Sequence, residues 1–189
     1  MTFLPSIING WTRLKDPNVE TRHSYKLFFI NRDWMTKHDS NPTGTGPPDG
    51  SSKALLMHGG TGVSQAVTAV SGRLYAAIYD WGEACDSAEM SGCHAPVGPL
   101  EAAYGLNVTL NAKGPDGGTQ ILANSHPTIL SRRTNIMAGV WTTSYTCSDT
   151  PLPMDISTIE LRIANSYQGN DKPWFAIDNV EIREVGNCD

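Results

Sequence analysis

The stretch Arg73-Leu74-Tyr75-Ala76-Ala77-Ile78-Tyr79-Asp80-Trp81 decides the fold. In an extended chain successive side chains point to opposite faces, so Leu74, Ala76 and Ile78 share one face. Tyr75, Ala77, Tyr79 and Trp81 share the other, with Asp80 pointing away from the rings. The aliphatic face is expected to turn toward a core. That leaves the aromatic face pointing away from it, where a sheet can offer a solvent-exposed platform.

Outward from this strand, short β-branched or alternating runs recur between Gly, Pro, Asn and Asp punctuation. They predict strands over 25–30, 53–58, 63–69, 73–81, 104–112, 119–123, 137–146, 157–164 and 174–184. Helical periodicity is nearly absent, so the expected class is all-β, with two antiparallel sheets packed as a sandwich. The Pro-, Gly- and Ser-rich segment 39–52 reads as a loop, and 113–118 as a turn. Gly59-Gly60-Thr61-Gly62 follows a strand as a nucleotide-binding loop does, but Gln65 stands where the third glycine belongs. The β-branched residues that follow it favour a strand.

A chain of 189 residues is long enough to bury about 70 % of its unfolded surface, so residues 1–189 are expected to form one domain. Its formal charge is −5, and its longest basic run, Arg132-Arg133, reads as a solvated turn. No basic stripe is present to displace counterions, which argues against nucleic acid as a partner. No segment approaches the roughly 20 apolar residues of a membrane span, and the first ten residues lack the basic and apolar regions of a signal peptide.

Cys85, Cys93, Cys147 and Cys188 allow three disulfide connectivities. The tight spacing of Cys85 and Cys93 makes them the natural first bridge and leaves Cys147 with Cys188. Buried thiols are the first alternative. A metal site is the second, although the paired knuckles of a zinc site are missing. Bridges would place the protein in an oxidising setting, extracellular or on a particle surface.

Several motifs in order carry a resemblance: Asn9-Gly10-Trp11, Gly50 to Leu56, Gly62 to Val67 leading through Ser71-Gly72 into Leu74 to Tyr79, then Gly114 to Gln120, Trp141 to Tyr145, Ile159 to Ile163 and Phe175 to Ile182. In this order the chain resembles the galactose-binding-like carbohydrate-binding modules of bacterial extracellular proteins, over about residues 9–184. The resemblance implies a jelly-roll β-sandwich that binds a glycan or polysaccharide and catalyses nothing. It also implies a structural calcium ion near Asp178, although Trp11-Thr12-Arg13 stands where an acidic residue usually follows the opening Asn-Gly. Calcium needs six to eight oxygen ligands. The alternative is that Asp178 sits at a bulge, since the alternation breaks between Ile177 and Val180.

Sugar rings stack their C–H faces on aromatic side chains while placed polar groups take up their hydroxyls. Tyr75, Tyr79 and Trp81 are therefore the expected ligand-binding residues, unless a loop such as 39–52 or 85–93 covers them as satellite core. Trp34, among polar neighbours, is a loop-borne candidate; Trp11, Trp141 and Trp174 read as packing. No nucleophile elbow, zinc helix or cysteine with a base partner is present. Carboxylate pairs such as Asp80 with Glu83 are what any 19 acids would offer, and the sequon at Asn107 falls mid-strand. The expectation is thus a noncatalytic glycan-binding module. A second expectation is a structural or decoration protein of a virion or surface lattice, whose partners are copies of itself or a larger particle.

Overall fold

A computed structural model of the protein describes residues 2–3, 7–8, 11–15, 27–31, 53–57, 59–84, 106–125, 141–165 and 174–188. These residues form twelve strands and no helix: β1 (Thr2–Phe3), β2 (Ile7–Ile8), β3 (Trp11–Lys15), β4 (Leu27–Asn31), β5 (Lys53–Met57) and β6 (Thr61–Thr68), then β7 (Leu74–Ala84), β8 (Leu106–Lys113), β9 (Thr119–Ser125), β10 (Thr142–Cys147), β11 (Thr158–Asn165) and β12 (Trp174–Val185). One six-stranded sheet runs β1-β4-β5-β12-β7-β10 and the other β2-β3-β6-β11-β8-β9. Every pairing is antiparallel, and the fold is a jelly-roll β-sandwich. No helix among the described residues is long and apolar enough to cross a membrane. The predicted strands are all present in part; β1, β2 and β3, too short or too polar to show a period, were not foreseen.

Period-two burial builds the core. In β8, Leu106, Val108, Leu110 and Ala112 point inward, and in β11 Ile159, Leu161 and Ile163 do the same, while the residues between them turn to the outer side. The Gly59–Gly62 segment is a turn and not a nucleotide loop. Gly60 takes a φ of 69°, its N–H donates to the Asn165 carbonyl at 2.9 Å, and β6 starts directly after it. Gly62 has no room for a side chain, because a Cβ there would meet the Ile163 carbonyl oxygen at 2.5 Å.

The facing of β7 is the reverse of the sequence expectation. Tyr75, Tyr79 and Trp81 are 7 %, 0 % and 2 % exposed and belong to the core with Phe175 and Ile177 of β12. The Trp81 and Phe175 ring centroids lie 6.0 Å apart in a tilted arrangement. Such rings enter a core when their polar tips find partners. The Tyr79 hydroxyl reaches Ser125 Oγ at 3.3 Å and Thr146 Oγ1 at 3.4 Å, and these two also bond each other, tying β7 and β10 to β9 of the opposite sheet. Trp81 Nε1 donates to Ser144 Oγ at 2.9 Å. The Tyr75 hydroxyl accepts from the Val70 N–H at 2.7 Å and donates to the Val70 carbonyl at 3.2 Å. A second tie between the sheets is the Asn165 side-chain amide, which donates to the Met57 carbonyl at 3.3 Å.

Cys147 and Cys188 form a disulfide, with Cα atoms 5.7 Å apart, that pins the end of β12 to β10. Cys85, Cys93 and Trp34 lie outside the described residues.

Candidate functional site

Because Tyr75, Tyr79 and Trp81 point inward, the opposite face of β7 is the outer one, and Asp80 lies on it. Register places three transverse rows there. Tyr145 of β10 faces Ile78 of β7, which faces Glu181 of β12. One rung along, Thr143 faces Asp80 and Asp80 faces Asp178. On the other side Cys147 faces Ala76 and Ala76 faces Arg183, so the disulfide bounds the patch. Tyr145 is 61 % exposed, with the partly buried Ile78 beside it as an apolar floor.

The strand β12 brings its carboxylates here through a bulge. The register with β7 shifts between Asp178 and Glu181, so Asn179 and Val180 together oppose the single residue Tyr79. Asn179 adopts a φ of 50°, the left-handed region that asparagine tolerates better than most residues. Before the bulge Phe175 and Ile177 face the core; after it Val180 and Ile182 pack there, returning Glu181 and Arg183 to the outer face. The break in alternation between Ile177 and Val180 is thus a bulge.

The bulge also organises the charge. Asp80 is 6 % exposed, and its Oδ2 accepts from the Asn179 side-chain amide at 2.8 Å while Oδ1 accepts from the Thr143 hydroxyl. Two donors hold this carboxylate flat under the patch. Glu181 takes Arg183 in a two-pronged pair, with Nε to Oε1 at 3.1 Å and Nη2 to Oε2 at 2.9 Å. That pairing raises the Arg183 pKa above its ordinary value, so the guanidinium stays charged. Among the described residues, Asp80 on β7 and Asp178, Glu181 and Arg183 on β12 therefore lie across Ile78 from the exposed phenol ring on β10. The arrangement offers a flat stacking surface with hydrogen-bond acceptors at its rim.

Of the expected site residues, Tyr75, Tyr79 and Trp81 come together, but inside the core, where no ring face is open to a ligand. Asp178 is at the site, one strand from Asp80. Among the described residues no group of three or more His, Cys, Asp or Glu side chains is placed to hold a metal, and Asn9-Gly10 lie outside them. Tyr145 was missed, because β10 reads Thr-Thr-Ser-Tyr-Thr-Cys and has no aliphatic residue to mark its inner face. Trp141, read as packing, is partly buried just before β10, and its Nε1 is buried with no partner among the described residues.

No protein-family model matches the chain, and no curated protein matches it. Among solved structures, the enzymatically active domain of tailspike protein 4 from bacteriophage CBA120 is similar at a TM-score of 0.56 and 10 % identity. The match covers 94 % of this chain and 20 % of the tailspike chain, so this chain spans about a fifth of that protein. A carbohydrate-binding module, TmCBM61, solved in complex with beta-1,4-galactotriose, matches at a TM-score of 0.45 and 10 % identity, covering 94 % of this chain and 90 % of its own. The K1 cleaved adhesin domain of Lys-gingipain from Porphyromonas gingivalis W83 matches at 0.45 and 13 % identity, over 95 % and 94 % of the two chains. At such identities the likeness to the tailspike domain is one of fold alone, and the class, a β-sandwich, is the one that the two antiparallel sheets of this chain define.

Proposed function

We propose that the protein is a noncatalytic glycan-binding module whose ligand lies on the exposed β10 side of the face that carries Tyr145, the β5 side of that face being closed, with Ala54, Leu56 and Ala176 buried. The observation that carries this reading is Tyr145, a ring left 61 % exposed on a sheet whose other described tyrosines and tryptophan on β7 are sealed in the core. A pyranose has an apolar face that stacks on such a ring, and a ligand reaching from β10 across β7 brings further hydroxyls to the carboxylates of β12, Asp178 and Glu181. The motif order that resembles carbohydrate-binding modules supports the same reading. So does the described disulfide, which suits an extracellular or particle-surface location. Catalysis by a pair of carboxylates needs a cleft with a raised-pKa acid. Among the described residues Asp80 lies buried under two donors and Glu181 is bound to a guanidinium on an open strand face, and the two do not line a cleft.

The test is a glycan array followed by calorimetric titration of the best binder with the native protein and with Tyr145→Ala. Saturable binding that the substitution weakens at least tenfold supports the proposal. Absence of binding to every polysaccharide tried sinks it.

A further inference from the structure

The turn between β6 and β7 meets the segment that leads from β10 into β11, and hydrogen bonds lock the two together. The Ala69 N–H donates to the Ser157 carbonyl at 2.9 Å, the Gly72 N–H to the Leu152 carbonyl at 2.7 Å and the Leu152 N–H to the Arg73 carbonyl at 2.8 Å. The Ser71 hydroxyl donates to the Ile156 carbonyl at 2.5 Å. Leu152 and Ile156 are buried and anchor the segment in the core, so the residues between them are held out from it. Met154 takes the second position of the β-turn that the Ile156 N–H closes on the Pro153 carbonyl at 3.0 Å, and it is 81 % exposed. Its thioether lies over the neighbouring turn: a Cβ placed on Gly72, whose φ is 75°, would meet Met154 Sδ at 3.1 Å. The exposure is therefore built into the fold and needs no local opening. Met57 is the opposite case, fully buried in the core. Met1, Met35, Met90 and Met137 lie outside the described residues.

We infer that Met154 is a site of reversible oxidation, at which a peroxide converts the thioether to a sulfoxide while the fold stays intact. A sulfur lone pair attacks one oxygen of hydrogen peroxide and the O–O bond breaks. That oxygen stays on sulfur, and the other leaves with both protons as water. Sulfur gives up two electrons and the peroxide takes them, so no further reactant is needed. The step requires only that the oxidant reach the sulfur. At Met57 the core must open first, so its rate carries the unfavourable opening equilibrium. A sulfoxide disrupts an apolar core because it is polar, whereas at an exposed turn water hydrates the new oxygen. The bonds that hold the turn are made by backbone groups and the Ser71 hydroxyl, so they survive the change. The site is independent of the glycan-binding reading.

The experiment exposes the full chain to dilute hydrogen peroxide, in buffer and in denaturing urea, and follows each methionine by peptide mapping with mass spectrometry. In buffer Met154 is expected to gain one oxygen at least about tenfold faster than Met57, and in urea the two rates are expected to converge. Methionine sulfoxide reductases are expected to remove the oxygen from the folded protein. Met154→Gln, a polar stand-in for the sulfoxide, is expected to keep the urea midpoint of the native protein. A Met154 rate in buffer no faster than that of Met57 overturns the inference. So does a lowered midpoint in Met154→Gln, which would show that the fold does not accept a polar group there. A sulfoxide at Met154 that the reductases leave in place overturns its reversibility.

Discussion

The Asn179 side-chain amide donates to Asp80 Oδ2 at 2.8 Å, from a residue whose own backbone sits in the left-handed region at the bulge of β12. One residue thus does two jobs: it turns the strand so that Glu181 and Arg183 face outward, and it holds the carboxylate beneath the patch. The two are separable. Asn179→Gly keeps the backbone conformation and loses only the amide. Asn179→Val adds a β-branched side chain where φ is positive, costing about 1–2 kcal/mol more than the glycine variant. Urea denaturation of the two variants checks this, and equal midpoints would show that the bulge is not held in that conformation.

Tyr79 is a core residue, and Tyr79→Phe separates that placement from a ligand-binding role. The phenol bonds to Ser125 and Thr146, which keep each other as partners when it is removed, so the expected cost is about 1 kcal/mol of stability. Glycan affinity should not change. A loss of binding at unchanged stability would return the site to this ring.

Burial raises the Tyr79 pKa above its ordinary 10.0, the bonds to Ser125 and Thr146 offsetting this only in part. The sign follows from linkage: the fold favours the neutral phenol, so its contribution is fully present below pH 10.0. Above that pH the unfolded chain ionises first, and stability is lost as the pH climbs toward the folded value. Denaturation midpoints measured from pH 8 to pH 11 should fall more steeply in the native protein than in Tyr79→Phe. Parallel curves would contradict the burial.

The Cys147–Cys188 bridge closes a loop of 41 residues, for which the chain-entropy picture gives a stabilisation of about 4 kcal/mol. The double substitution Cys147→Ala with Cys188→Ala should lower stability toward that amount. A change below about 1 kcal/mol would show that the bridge adds little to ties already made by β12 and β7.

Much of this architecture is legible in the chain. Alternation in 73–81, 157–164 and 174–184 locates the strands that become β7, β11 and β12, and the broken alternation after Ile177 locates the bulge. The direction of the faces is harder to read. Leu74, Ala76 and Ile78 look like a core face, and Tyr75, Tyr79 and Trp81 like a platform, yet the aromatic face is the buried one. The decisive mark was Asp80: a carboxylate needs its face to be outward or its donors at hand, whereas phenol and indole tips can be satisfied inside by the serines and threonines of β9 and β10. Those partners are distant in sequence, 46 residues for Ser125 and 67 for Thr146, so pairing of strands had to be known first. Tyr145 is legible only after β10 is docked on β7, because its strand carries no aliphatic side to set against its polar one.

The most direct measurement of the central claim is the ring-proton NMR spectrum of Tyr145, assigned by comparison with Tyr145→Phe and followed through titration with an oligosaccharide that the array selects. Stacking of a sugar on the ring predicts a saturable shift of the Tyr145 ring resonances and saturation transfer to the sugar C–H protons, with Tyr79 unmoved. Binding that leaves the Tyr145 resonances in place would contradict the account and put the ligand elsewhere on the molecule.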